Sequence, residues 1–130
     1  MALAAERGYV AKGHCAWGNM PLLKRVVGLP GDRIDIDASG VRVNGRRLPL
    51  GLPLQHDASG RPLPDLTGHG LVLSEHELWV MSVTEPQSFD SRYFGPIAVV
   101  WVEEAVDPLW TWGRWHAAVL TSLAQKSSSI

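Results

Sequence analysis

A mainly β fold of antiparallel strands follows from three features of the 130-residue chain. Ile34 and Ile36 alternate with Arg33, Asp35 and Asp37, the period-two pattern of a half-buried strand. Asn44-Gly45 separates Val41-Arg42-Val43 from Arg46-Arg47-Leu48, and this dipeptide readily takes the positive φ angles of a type I′ hairpin turn. Leu29-Pro30-Gly31-Asp32 supplies proline and then glycine for a type II turn. These signals predict a coiled antiparallel sheet closing toward a partial barrel.

The remaining elements fall into place around them. Ala2, Leu3, Ala4 and Ala5 favour a short helix at the start of residues 1–9, which Gly8 and Gly13 leave little room to extend. The apolar, partly β-branched run 22–27 reads as a strand. A break at Ala38-Ser39-Gly40 follows the Arg33 to Asp37 alternation. Residues 49–70 are rich in proline, glycine, aspartate and histidine without periodicity, which predicts an extended surface insertion partly wrapping the sheet. Leu71-Val72-Leu73 and Leu78-Trp79-Val80-Met81 read as two strands divided by the polar turn Ser74-Glu75-His76-Glu77. Residues 97–102, apolar throughout, are expected to form a central strand. A helix is expected over residues 115–125, followed by the polar end Lys126-Ser127-Ser128-Ser129. Two regions result: residues 1–106 as the main domain and 107–130 as a tryptophan-rich C-terminal extension.

Twelve basic and thirteen acidic residues leave no charge excess to steer the protein to nucleic acid or to an anionic surface, so no nucleic-acid partner is expected. No window holds the roughly eighteen uninterrupted apolar residues of a spanning helix. Six tryptophans are many for this length, and Trp101, Trp110, Trp112 and Trp115 crowd the C-terminal third, as core residues or as a contact to lipid or another chain. The single Cys15 reads as a buried small hydrophobe or as a thiol whose partner lies outside the chain. His14, His56, His69, His76 and His116 show neither His-x-x-x-His spacing nor a nearby cysteine pair, so no metal and no other cofactor is expected.

Chemistry concentrates in two places. Within the run 22–27, an extended backbone puts Lys24 on one face with Leu22 and Val26. A free lysine has a pKa near 10.4 and is neutral in fewer than about one molecule in a thousand at pH 7, whereas full burial lowers the value by roughly 3–5. Such an amine can take a proton from a serine hydroxyl. Lys24-Arg25 also fits a plain strand edge with both charged heads in water. Downstream, an extended Ser88-Phe89-Asp90-Ser91-Arg92 would set Ser88, Asp90 and Arg92 on one side, with an Asp90–Arg92 ion pair holding the serine hydroxyl toward the Lys24 amine. Taken alone, that pattern is also an ordinary polar turn.

Jointly the two segments resemble a known family. Lys24-Arg25-Val26-Val27-Gly28-Leu29-Pro30-Gly31-Asp32 is similar to the lysine-bearing motif of type I signal peptidases, the S26 serine–lysine endopeptidases, and Ser88-Phe89-Asp90-Ser91-Arg92-Tyr93-Phe94-Gly95-Pro96 matches their last motif. The resemblance implies a sheet of the signal-peptidase type and an enzyme that removes N-terminal targeting peptides outside the cytoplasmic membrane without a metal. It makes Lys24 the general base, Ser88 its orienting partner, and Asp90 and Arg92 the supporting ion pair. Ser82-Val83-Thr84-Glu85-Pro86-Gln87 stands where these enzymes usually carry Gly-Asp-Asn-Arg-Asp-Asn. With Glu6-Arg7-Gly8-Tyr9-Val10 and Gly13-His14-Cys15, that departure resembles the TraF-type conjugative transfer peptidases, whose substrates are pilin-like precursors.

The family carries its nucleophile in a Ser-x-Met-x-Pro motif after a membrane segment, and no Ser-x-Met occurs in this chain. The resemblance, which covers roughly residues 6–102, therefore implies an N-terminally shortened form through a truncated gene product, a misplaced start codon or a deliberate cut. It implies that the complete protein associates with the membrane through the missing segment and works on the periplasmic face, while the chain as given is soluble and inactive alone. An upstream cysteine would then pair with Cys15. The expected partner is a precursor polypeptide bearing a signal peptide. Two other readings stand beside this one: a non-catalytic β-sheet module that docks extended peptides along an open strand edge, and a self-cleaving repressor domain, which the absence of a basic DNA-reading segment and a cleavable linker argues against.

Overall fold

A computed structural model describes residues 2–9, 22–49, 51–82, 84–102 and 105. The expected helix at 115–125, Cys15, Trp110, Trp112 and Trp115, and with them the extension 107–130, lie outside the described residues. The chain runs α1 (Ala2–Glu6), β1 (Arg25–Gly28), β2 (Arg33–Asp37), β3 (Gly40–Val43), β4 (Arg46–Arg47), β5 (Gly68–Val72), β6 (Glu77–Met81), α2 (Ser91–Phe94), β7 (Ile97–Ala98) and a 3₁₀ turn, Val99–Trp101. All strand pairings are antiparallel. The strands form two open sheets, β4-β3-β2-β5 and β1-β6-β7, rather than a closed barrel.

Local chemistry explains the larger sheet. Asn44 and Gly45 take φ values of 52° and 80°, the type I′ geometry that lets β3 return as β4. Asn44 also ties the turn to β2, its Oδ1 accepting from Arg33 N at 2.9 Å and its Nδ2 donating to Asp32 Oδ1 at 3.0 Å. Between β1 and β2, Gly31 takes φ 86° and Asp32 N donates to Leu29 O at 2.9 Å, as a type II turn with glycine third requires. This turn carries the chain from one sheet to the other. Gly31 N donates to Leu73 O and Leu73 N to Asp32 O, at 2.8 and 2.9 Å, so the crossing is clamped where β5 ends.

Inward residues of both sheets share one core: Ile34, Ile36 and Val41 from the larger, Trp79 and Met81 from the smaller, and Leu73 between them. Gly28 is where the layers come closest, since a Cβ there would lie 2.8 Å from Trp79 Cβ and 3.0 Å from Leu73 Cδ1. Six fully buried hydrophobic side chains at about 1.5–3 kcal/mol each supply the driving force that short strands cannot.

Three expectations need correction. The first strand begins at Arg25 rather than at residue 22, because pairing with β6 starts at Arg25↔Met81 and leaves Leu22 and Leu23 exposed. The insertion ends earlier than residue 70, since Gly68 already pairs with Ile36. Residues 97–102 are not a central strand: only Ile97 and Ala98 pair, at the edge of the smaller sheet, and Val100 is 84% exposed. The Val99 amide donates to His76 O at 2.8 Å, which turns the chain away from the sheet. β-Branched composition expresses a preference for extended backbone and names no partner strand.

Candidate functional site

The 64-position separation of Lys24 and Ser88 is closed by the return of β6 beside β1, and the Lys24 ammonium donates directly to Ser88 Oγ. Lys24 precedes the first paired residue of β1, and Ser88 lies in the loop that joins β6 to α2. The amine is half-buried, in a cleft of ≈ 540 Å³ whose walls include Leu22, Leu54, Leu63, Phe89 and Tyr93. Desolvation there pushes the Lys24 pKa below its ordinary value, opposed by the Asp90 carboxylate and reinforced by the Arg92 guanidinium. The apolar surroundings expected from strand neighbours come mainly from the insertion and from the segment after Ser88.

Asp90 and Arg92 form the expected ion pair by a different route. The backbone from Ser88 to Arg92 is not extended: Asp90 is the N-cap of α2, accepting from Arg92 N at 3.2 Å. One turn of helix brings the Arg92 side chain back over its own cap, where Nε and Nη2 reach Asp90 Oδ1 and Oδ2 at 2.8 and 2.9 Å. Both side chains are fully buried. The remaining guanidinium donors bind backbone carbonyls, Nη2 to Ser88 O at 3.0 Å and Nη1 to Leu52 O at 3.0 Å and Pro86 O at 3.3 Å. The pair therefore grips the main chain of residue 88, not its hydroxyl, and so fixes where the hydroxyl starts. Asp90 Oδ2 also accepts from Ser82 N at 3.1 Å, tying the loop to the end of β6.

Several contributors escaped sequence reasoning. Ser91 Oγ accepts from Val80 N at 2.9 Å in the interior, pinning α2 to β6. The Tyr93 hydroxyl accepts from Leu54 N at 2.9 Å, which brings the insertion to the cleft. A helix signal was present, because Asp90 opens and Gly95, at φ 78°, closes a four-residue turn before Pro96. Asp57 had no such signal. Its carboxylate accepts from the Tyr9 hydroxyl, from Arg61 Nε at 2.7 Å and from the Ser59 and Arg61 amides at 2.9 Å each. Burial alone would raise the Asp57 pKa, but these donors outweigh it and hold the carboxyl well below the usual range. Arg7 Nη1 donates to Pro62 O at 2.7 Å, so the segment after α1 and the insertion form one wall of the cleft.

Among the described residues no three histidine, cysteine or acidic side chains are placed to hold a metal ion, and no helix is long and apolar enough to cross a membrane. The arrangement comprises one desolvated amine, one hydroxyl in its reach and a buried ion pair that fixes the hydroxyl's backbone.

A lysine amine and a serine hydroxyl thus meet in a cleft on a β scaffold. The sequence profile described as "Signal peptidase, peptidase S26" matches residues 10–110, and the chain belongs to that family. Among curated proteins it is 40% identical over 109 residues to the plasmid transfer protein TraF of Escherichia coli, covering 84% of this chain and 61% of that protein. It is 41% identical over 96 residues to the conjugal transfer protein TraF of Agrobacterium tumefaciens (strain 15955), covering 74% and 52%. Signal peptidase I V of Bacillus subtilis (strain 168) is 36% identical over 84 residues, covering 58% and 49%. The chain thus spans about three fifths or less of the length of these relatives.

Proposed function

We propose that this chain is the lysine-bearing part of a serine endopeptidase that removes signal peptides from exported or pilin-like precursors in conjugative transfer. The observation that carries the reading is the Lys24–Ser88 contact in a desolvated cleft. In this reading neutral Lys24 takes the nucleophile's proton and later protonates the leaving amine. Ser88 orients the amine, and the Asp90–Arg92 pair holds the Ser88 backbone. The nucleophile belongs to polypeptide outside these 130 residues, since no Ser-x-Met-x-Pro occurs in them. The identity to proteins named for plasmid and conjugal transfer supports the precursor class; in this reading the complete enzyme works at the outer face of the cytoplasmic membrane, reached through an upstream anchor. The test is to join this chain to an upstream segment from a TraF relative that carries its serine and to follow precursor cleavage. Cleavage is expected, with loss in the Lys24→Met variant; undiminished cleavage in that variant would remove the base assignment.

A second reading, a peptide-docking module, is favoured by one feature: among the described residues β1 lies at the edge of its sheet beside the cleft. Extended peptide binding that persists in Lys24→Met, without cleavage in the joined protein, would support it over the first.

A further inference from the structure

We infer that Ser88 is itself an acyl acceptor, and that this chain alone reacts with small apolar carboxylic esters through a Ser88–Lys24 pair. Ser88 is the side-chain hydroxyl that Lys24 Nζ contacts among the described residues, and a serine within hydrogen-bond reach of a lysine amine is the arrangement by which a weak nucleophile is activated. Three further observations fit this use. Ser88 borders the open cleft rather than the core, so a substrate carbonyl has access to Oγ. Its backbone is pinned by Arg92 Nη2 at 3.0 Å, which limits the positions the hydroxyl can adopt. The cleft walls contributed by Leu22, Leu54, Leu63 and Phe89 suit a short apolar acyl group, while Lys24 and Gln87 supply polar groups at the reacting end. An ester is the matching class because an alkoxide leaves far more readily than the nitrogen of an amide, so a single amine and hydroxyl suffice.

The step balances within the pair and its substrate. Neutral Nζ takes the Ser88 proton as the Oγ–C bond forms and the carbonyl electrons move onto oxygen. Collapse of that adduct breaks the ester C–O bond, and the alkoxide leaves as an alcohol with the proton from Nζ. Water then attacks acyl-Ser88, Nζ accepts the water proton, and Oγ takes it back as the carboxylic acid departs.

The inference does not depend on signal-peptide cleavage, and its test needs only the 130-residue chain. The chain is incubated with an alkyl fluorophosphonate, which forms an Oγ–P bond and releases fluoride, and the adduct is located by peptide mass spectrometry. One adduct is expected, on Ser88, formed roughly 100-fold more slowly in Lys24→Met, as loss of a general base predicts. Ser74→Ala, which alters an exposed serine with no hydrogen bond to a lysine among the described residues, is expected to leave labelling unchanged. In the unaltered chain the labelling rate is expected to rise with pH to a plateau whose midpoint lies below the ordinary lysine value, a readout that requires no variant to fold. Absence of an adduct, an adduct on another serine, equal rates in Lys24→Met, or a midpoint at or above about 10.4 would each overturn the inference. The joined-protein cleavage assay reads a different serine, so failure there leaves this result standing, and the reverse also holds.

Discussion

Asp90→Asn tests the buried ion pair most directly. Asparagine caps a helix about as well as aspartate, so the turn at α2 survives while the charge is lost. The Arg92 guanidinium then stays in the interior at 0% exposure and loses the charge of the Asp90 carboxylate. Breaking one side of a buried pair costs about 3–5 kcal/mol. The lower end applies here, because the carbonyls of Leu52, Pro86 and Ser88 continue to accept from the guanidinium. Against a total stability of about 5–15 kcal/mol for a small domain, that is a large fraction. With a urea slope of about 1–3 kcal/mol per molar, the unfolding midpoint followed by tryptophan fluorescence should fall by roughly 1–3 M. Removing the second charge as well should recover part of the loss, so Asp90→Asn combined with Arg92→Met is expected to be more stable than Asp90→Asn alone. A single-variant loss below about 1 kcal/mol, the worth of an ordinary hydrogen bond, would refute the view that this pair holds the loop together. The same substitution removes the carboxylate that favours the charged form of Lys24, so the midpoint of the Ser88 labelling profile should move to lower pH.

Two further outcomes follow from the packing and from the amine. Gly28→Ala introduces a Cβ 2.8 Å from Trp79 Cβ and 3.1 Å from Ile34 Cδ1, too close for either sheet to give freely, and should lower stability by about 1–3 kcal/mol in chemical denaturation; an unchanged midpoint would mean that the layers part easily at this point. For Lys24, the folded pKa is depressed, so the unfolded chain binds more protons between that value and about 10.4, and this group's contribution to stability rises with pH across the window. Lys24→Met removes the dependence and the desolvation penalty together. The variant should therefore be at least as stable as the parent at neutral pH, with its advantage shrinking toward pH 10.4; a pH-independent difference would remove the desolvated-amine account.

The short-range parts of this protein were legible because they depend on neighbours in the chain. Asn44-Gly45 and Pro30-Gly31 encode their turns through the φ values those residues accept, and the alternation around Ile34 and Ile36 encodes which side of β2 faces inward. The pairing of a lysine motif with a distant serine motif was legible as a resemblance, and both segments do meet. The second motif departs from the extended alternation its residue types suggest, because an aspartate cap and a closing glycine make a helical turn there.

What the amino-acid order determined by itself is the set of turns, the β character and the chemical groups available for a reaction. Tertiary structure alone decided that β5 and β6, adjacent in sequence, enter different sheets, and that residues 97–102 leave the sheet after two pairings. It alone decided that the insertion lines the cleft through Leu54, Asp57 and Leu63. The physical reason is that burial, and with it the lowered proton affinity of Lys24, is a property of the atoms around the amine. Tyr9, Leu54, Leu63 and Tyr93 come from segments that no local pattern ties to residue 24.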